Sequence, residues 1–131
     1  MTEKRSYEWA GVDVERGDLC SSIAYKACKN TYGNNDRIGN PVELQGGFSG
    51  PFEIKKNVQG AILVKNSDGI GSKAIVGQRV DEHRTLAHDL IAMNADDSVS
   101  IGAEPIIGTN TLDIAETDPG LVSDLMEGLV E

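Results

Sequence analysis

The segment Ser67-Asp68-Gly69-Ile70-Gly71-Ser72-Lys73 is the most informative stretch of this sequence. It follows a continuous apolar run, Ala61 to Val64, which is typical of a buried strand, and it precedes a short helical pattern. A strand, a glycine loop and then a helix is the arrangement that directs free backbone N–H groups toward a phosphate. The spacing alone leaves a second interpretation open, because Asp68-Gly69 is also a common signal for a two-residue hairpin turn.

Downstream of this loop, residues Arg84 to Ile101 have a helical pattern that is apolar on most sides, which predicts a largely buried helix. Asp97 interrupts the apolar stripe, and carboxylates are rarely buried unless they are paired or bind a metal. A salt bridge would explain Asp97 as well as Mg²⁺ would. Beyond the helix, Ile106 to Ala115 favours a strand, and Asp118-Pro119 predicts the start of a last helix.

Upstream of the loop, Asp13 is expected to cap a helix whose apolar stripe repeats at intervals of four residues. Phe52 to Lys56 alternates apolar and polar residues like a half-buried strand, and it is expected to pair with the Ala61 to Val64 strand. A second glycine-rich segment, Gly46 to Gly50, is by itself compatible with any surface loop.

The composition limits the class of protein. The 131 residues fit one domain, and the order of predicted elements indicates mixed α and β structure. Twelve basic against 21 acidic residues give a net charge of −9, which argues against nucleic-acid binding. No apolar run is long enough to span a membrane, and Met1 to Ser6 is too polar for a signal peptide. We therefore expect a single soluble, cytoplasmic domain over residues 1–131.

Four segments in order resemble the aminoimidazole ribonucleotide synthetase family, the ATP-dependent cyclo-ligases of purine synthesis. They are Tyr7 to Val14, Gly46 to Phe48, Ser67 to Lys73, and Asp89 to Pro105. The Ala-Gly-Val-Asp sequence that ends at Asp13 favours the purine enzyme over relatives that make selenophosphate, thiamin diphosphate or hydrogenase cyanide ligands.

The resemblance implies an α+β fold in which helices pack on a mixed sheet, and it also implies a reaction and partners. The family uses ATP to phosphorylate the formyl oxygen of formylglycinamidine ribonucleotide, after which an amidine nitrogen closes the imidazole ring and phosphate leaves. ATP and Mg²⁺ are the expected cofactors, and a small ribonucleotide is the expected substrate. A homodimer is expected, with strands of two subunits forming a shared barrel-like sheet. The carboxyl-terminal domain that completes the sites is absent from these 131 residues, so we expect no turnover unless a separate chain supplies it.

The same resemblance assigns roles by motif position. The expected catalytic residues are Asp68, Lys73 and Asp97, and the metal ligands among them are Asp68 and Asp97. Further residues, expected to bind nucleotide or substrate or to support the site, are Gly46, Gly47, Phe48, Ser67, Gly69, Gly71, Asp89 and Glu104. The chain departs from the family pattern at Asp96, where Asn is usual, and at Tyr25, where a lysine is usual.

Two other functions are considered beside the cyclo-ligase. One is a noncatalytic dimer that keeps the fold and binds nucleotide or a partner chain. The other is an enzyme of the same superfamily that acts on a different substrate.

Overall fold

The computed structural model describes residues 9–34, 36–43, 50–55, 57 and 60–131. These ranges contain one helix, then the two strands of a small sheet, then three further helices, which is consistent with an α+β chain. The elements are α1 (Val14–Asn30), β1 (Gly39–Pro41), β2 (Phe52–Ile54), α2 (Lys73–Val80), α3 (Arg84–Ser100) and α4 (Pro119–Val130).

The two outer helices, α1 and α4, begin at the aspartates that the sequence predicts as caps. The Asp13 carboxylate accepts a hydrogen bond from the Arg16 N–H at 3.0 Å. The Asp118 carboxylate accepts one from the Gly120 N–H at 2.8 Å, and proline follows it at the first helical position. Each cap satisfies a backbone donor that the first turn of a helix leaves without a partner. Both predicted helix starts are confirmed.

The two-stranded sheet corrects a predicted pairing. Phe52–Ile54 is a strand as expected, but its antiparallel partner is Gly39–Pro41 and not residues 61–64. At Gly39 the backbone lies so close to β2 that an added Cβ would clash with the carbonyl of Glu53 and the ring of Phe52. Only glycine fits there. The Gly-Asn-Pro sequence of β1 has no apolar alternation, so the sequence pattern did not reveal it.

Two further predicted strands are absent, since residues 61–64 and 106–115 belong to no helix or strand. Ile62 is 90% exposed and Leu63 is 70% exposed, so the first of these segments is not buried either. An apolar pattern indicates that a segment is suited to the interior of a sheet. A strand also needs a neighbouring strand with which its backbone can form hydrogen bonds. The described part of this chain places none beside either segment.

Helix α3 is less buried than its apolar pattern predicts. Ala87 is its one fully buried residue, while Ile91, Met93 and Val99 remain between 39% and 56% exposed. Only the face around Ala87 packs on α4, because Gly128 of α4 lets the two backbones approach. A Cβ added at Gly128 would lie 2.9 Å from the Cβ of Ala87.

Helix α4 is the centre of the fold, since both α1 and α3 pack against it. The buried apolar side chains in the described ranges are few: Ile38, Ala87, Val122 and Met126. Arg84 of α3 adds ion pairs to Glu127 and Glu131. Helix α3 is thereby fixed on one side, and its other side is available to the segment that precedes α2. Among the helices of the described ranges, none has the length and apolarity to cross a bilayer.

Candidate functional site

The glycine loop, defined here as residues 66–73, lies along α3. Asn66 at its start contacts Asp97, and Lys73 at its end contacts Asp89. The eight residues between Asp89 and Asp97 span about 12 Å of helix axis, since a helix rises about 1.5 Å per residue. The loop therefore follows α3 back toward the amino end of that helix.

Asn94 of α3 holds the middle of the glycine loop. Its Oδ1 accepts a hydrogen bond from the Asp68 N–H at 3.0 Å, and its Nδ2 donates to the Asp68 carbonyl at 3.1 Å. The same Nδ2 donates to the Leu90 carbonyl one turn earlier in α3, at 2.9 Å. Asp68 is thus attached to the helix through both of its main-chain polar groups.

Asn66 links the loop to the second predicted carboxylate. Its Nδ2 lies 3.3 Å from Oδ2 of Asp97 and 3.2 Å from the Asn94 carbonyl, and its Oδ1 accepts from the Ser67 N–H at 2.8 Å. Asp68 and Asp97 therefore belong to one hydrogen-bonded unit. The structure brings these two predicted site residues to the same side of the molecule.

Both carboxylates keep an oxygen available. Oδ1 of Asp68 accepts from the Gly69 N–H at 2.7 Å, and Oδ2 of Asp97 accepts from Asn66. The other oxygen of each residue has no hydrogen-bond partner in the described ranges. Within these same ranges, no group of three or more His, Cys, Asp or Glu could hold a metal ion. A cation at Asp68 and Asp97 would thus need further ligands from a bound molecule or water, which is usual for Mg²⁺.

The start of α2 offers unpaired backbone donors. Ser72 is the N-cap, but its side chain makes no capping hydrogen bond. The N–H groups of Ile70, Gly71 and Ser72 have no acceptor among the residues that the structure describes. Gly71 has φ +58°, a left-handed conformation that glycine adopts without strain. Free N–H groups at a helix start favour an anion.

Lys73 and Asp89 form an ion pair with 3.2 Å between Nζ and Oδ1. Both side chains are about half exposed, so water screens the attraction and the pair contributes little stability. Lys73 can therefore exchange Asp89 for another anion at low cost. The structure brings these two predicted residues together beside α2.

Three predicted residues, Gly46, Gly47 and Phe48, lie outside the described residues. Glu43, which precedes them, is held on α1: its Oε1 accepts from the hydroxyl of Tyr25 and from Nζ of Lys29, each at 2.7 Å. Hydrogen bonding to Glu43 raises the pKa of Tyr25 and of Lys29, and Lys29 in turn lowers the pKa of Glu43.

Glu104 is not part of the unit formed by the glycine loop and α3. It forms an ion pair with Arg37, which links the segment after α3 to the one before β1. The supporting role expected for Glu104 stays a prediction.

Two residues of the unit, Asn66 and Asn94, were missed by sequence reasoning. Asn94 lies between Met93 and Ala95 on a helix predicted to be buried, and a polar amide in that position was the available signal. Asn66 immediately precedes the glycine motif and offered no signal of its own. Neither amide is charged, so neither stood out as a candidate ligand.

Residues 55–131 match the family described as AIR synthase related protein, N-terminal domain. The chain belongs to this family. The match includes the glycine loop, Asn94 and Asp97, so the geometry described above lies within the AIR synthase related domain.

Curated relatives extend the similarity over nearly the whole chain. The phosphoribosylformylglycinamidine cyclo-ligase of Synechocystis sp. is 34% identical over 125 residues, which cover 95% of this chain and 35% of the relative. The enzyme of the same name from Streptococcus mutans serotype c is 30% identical, over 100% of this chain and 37% of the relative. The bifunctional purine biosynthetic protein PUR2,5 of Pichia angusta is 35% identical over 130 residues, which cover 96% of this chain and 16% of the relative.

The AIR synthase related chain spans about a third of the length of the cyclo-ligases it matches. No solved structure gives a significant match to it.

Proposed function

We propose that this chain is the amino-terminal, nucleotide-binding part of a phosphoribosylformylglycinamidine cyclo-ligase. The complete enzyme would use ATP to convert formylglycinamidine ribonucleotide to aminoimidazole ribonucleotide in purine biosynthesis. Membership of the AIR synthase related family supports this proposal, and so do the names of relatives that cover nearly all of the chain. These 131 residues would contribute the nucleotide site, and a carboxyl-terminal domain would complete it.

One observation carries the proposal: Asp68 and Asp97 are joined through Asn66 and Asn94 into one unit in which each carboxylate keeps an oxygen available. Mg²⁺ is usually held by one or two carboxylates together with substrate phosphates, so this donor set fits the magnesium complex of ATP. Bound there, the ion would neutralise charge that develops on the transferred phosphoryl group.

The chain's own groups would orient the phosphates. The unpaired N–H groups of residues 70–72 and the start of α2 supply fixed donors, and Lys73 supplies a positive charge that is only weakly held by Asp89. These donors explain how a chain of net charge −9 can bind a polyanion. The metal ion and the backbone N–H groups would bind the phosphates in place of a cluster of basic side chains.

A homodimer is part of the same proposal. Ile62 and Leu63 expose most of their apolar surface, and residues 106–115 expose Ile107, Leu112 and Ile114 as well. Such contiguous apolar segments are costly in water and are typical of an interface. Pairing with a second subunit would bury these side chains and give both segments the hydrogen-bond partners that strands require.

Calorimetric titration with ATP and Mg²⁺ tests the nucleotide site directly. We expect the wild-type chain to bind, and we expect Asp68→Asn and Asp97→Asn each to weaken binding about tenfold or more, a loss of about 1.4 kcal/mol. Asp124→Asn is the matched control, because Asp124 is an exposed carboxylate on α4. Absence of binding by the wild type, or an equal loss in the control, would contradict the proposal.

Turnover tests the proposed reaction separately. With formylglycinamidine ribonucleotide, ATP and Mg²⁺, we expect no product from the 131 residues alone. Addition of a carboxyl-terminal domain should restore formation of the imidazole ring. Product formation by the isolated chain would contradict the division of the site between two domains.

A further inference from the structure

Asn94 fixes the orientation of Asp68 on α3. Its side-chain amide pairs with both main-chain polar groups of Asp68, at 3.0 Å and 3.1 Å, in the way that one strand pairs with another. Only one orientation of the amide satisfies these contacts, because the Asp68 N–H needs an oxygen while the carbonyls of Asp68 and Leu90 need a nitrogen.

These contacts fix the main-chain conformation from which the Asp68 carboxylate projects. The Asp68 N–H belongs to the peptide plane before its Cα, and the Asp68 carbonyl belongs to the plane after it. Peptide planes are rigid, so holding both of them fixes the direction of the Cα–Cβ bond between them. The next donor, the Gly69 N–H, is fixed by the same peptide plane and bonds to the Asp68 side chain.

Asn94 is itself anchored. Its Nδ2 bonds to the Leu90 carbonyl at 2.9 Å, and its carbonyl accepts from Asn66, the residue that also contacts Asp97. Its bonds with Leu90 and Asn66 are partly buried, so water competes less for these two anchoring bonds than it does on the surface. One side chain therefore sets the position of one carboxylate and contributes to the link with the other.

We propose that Asn94 is a positioning residue of the nucleotide site, acting through the Asp68 main chain without touching the nucleotide. The proposal rests on the proposed function, in which Asp68 and Asp97 hold the magnesium complex of ATP. The uncharged side chain of Asn94 would hold Asp68 in its binding position before the ligand binds. Such preorganisation improves affinity because the bound geometry already exists in the free protein.

The test compares Asn94→Leu and Asn94→Asp with the wild-type chain. Leucine has the same branched arrangement of heavy atoms but no polar atoms, while aspartate keeps an acceptor for the Asp68 N–H and loses the donor for the Asp68 carbonyl. The matched control is Gln78→Glu, which makes the same amide-to-carboxylate change at an exposed residue of α2. Three quantities are measured: hydrogen exchange of the Asp68 N–H by NMR, affinity for ATP with Mg²⁺, and the thermal unfolding midpoint.

We expect Asn94→Leu to speed exchange of the Asp68 N–H about tenfold or more and to weaken nucleotide binding by a similar factor. Exchange in the centre of α4 should stay unchanged, which separates a local effect from general destabilisation. Asn94→Asp should also weaken binding, and it provides the test if the leucine variant does not fold. Gln78→Glu should leave exchange and affinity at their wild-type values.

Different results overturn the two proposals. If the wild type does not bind ATP, the proposed function fails, while exchange at Asp68 still reports whether Asn94 holds that residue. If Asn94→Leu leaves Asp68 exchange unchanged, the positioning role is wrong. It is also wrong if exchange rises but affinity for ATP stays the same.

Discussion

At the residue scale, Glu43 attaches the segment before residues 44–49 to helix α1. Its carboxylate receives hydrogen bonds from Tyr25 and Lys29 of α1, and the Lys29 ammonium also lies 5.3 Å from the centre of the Tyr25 ring. Tyr25 stands where the resembled family usually has a lysine, so in this chain the position contributes a hydroxyl. The cluster ties the segment that precedes residues 44–49 to α1.

The cluster predicts a pH dependence. The pKa of Tyr25 is raised, mainly because its protonated hydroxyl donates to Glu43, so this stabilising contribution is lost as pH rises above the usual value near 10. The pKa of Glu43 is lowered by Lys29 and Tyr25, so its contribution is lost as pH falls below the usual value near 4.5. Glu43→Gln should therefore return the pKa of Tyr25 toward its usual value.

Ultraviolet titration of tyrosine ionisation measures this change. Comparison with Tyr25→Phe identifies which of the three tyrosines titrates late in the wild type. A Tyr25 pKa that stays raised in Glu43→Gln would show that Glu43 is not the cause.

The charged residues of the candidate site could be predicted from sequence, whereas the amides could not. Asp68 lies in a recognisable glycine motif, and Asp97 interrupts an apolar stripe. Asn66 and Asn94 act through bonds to nearby main-chain atoms and to each other across the loop. Such bonds follow from tertiary placement, so the one signal in the sequence is the polar amide of Asn94 on a helix predicted to be buried.

At the scale of elements, the helices were predictable because their signals are local. A cap such as Asp13 or Asp118 lies within three residues of the N–H that it satisfies. A strand depends on a partner that is distant in sequence, and β1 became a strand through its contacts with β2 and not through its own residues. Residues 61–64 and 106–115, which have no strand neighbour among the described residues, accordingly form no strand.

Replacing two glycines by alanine should change the stability of the chain in opposite directions, and this tests helix packing. Gly128→Ala should destabilise the chain by about 1–3 kcal/mol, because the added Cβ would meet the Arg84 carbonyl where α3 crosses α4. Gly17→Ala should stabilise it by about 0.5–1 kcal/mol, since Gly17 lies within α1 and its Cβ would meet nothing within 4 Å. Urea unfolding measures both, and equal effects of the two changes would contradict the packing of α3 on α4.

At the scale of the whole molecule, the proposed second subunit would account both for the small buried core of the described residues and for their exposed apolar segments. The described residues bury four apolar side chains, fewer than a domain of this length usually needs, while Ile62 and Leu63 are exposed. A second subunit would supply the strand neighbours that the sequence pattern predicts and that the described part of one chain does not provide. On this proposal, the full sheet could not be predicted from the residues of one subunit.

Leu63→Asp tests the proposed dimer. A charge in the middle of the 61–64 segment should shift the chain from dimer to monomer in sedimentation equilibrium, because a carboxylate buried in a sheet interface would have no partner. Val14→Asp is the control: this valine is also exposed, but it starts α1, where a negative charge is favourable. A wild-type chain that is monomeric, or a Leu63→Asp variant that remains dimeric, would contradict the interface.

We propose that the glycine loop and α3 together hold a metal-bound nucleotide. Paramagnetic NMR tests this placement most directly. With Mn²⁺ in place of Mg²⁺, ATP should broaden the amide signals of residues 67–71 and of Asp97, while those of α4 stay sharp. Asp68→Asn should abolish the broadening. Broadening centred on the signals of α1 and α4, or none at all at saturating Mn²⁺ and ATP, would contradict this placement.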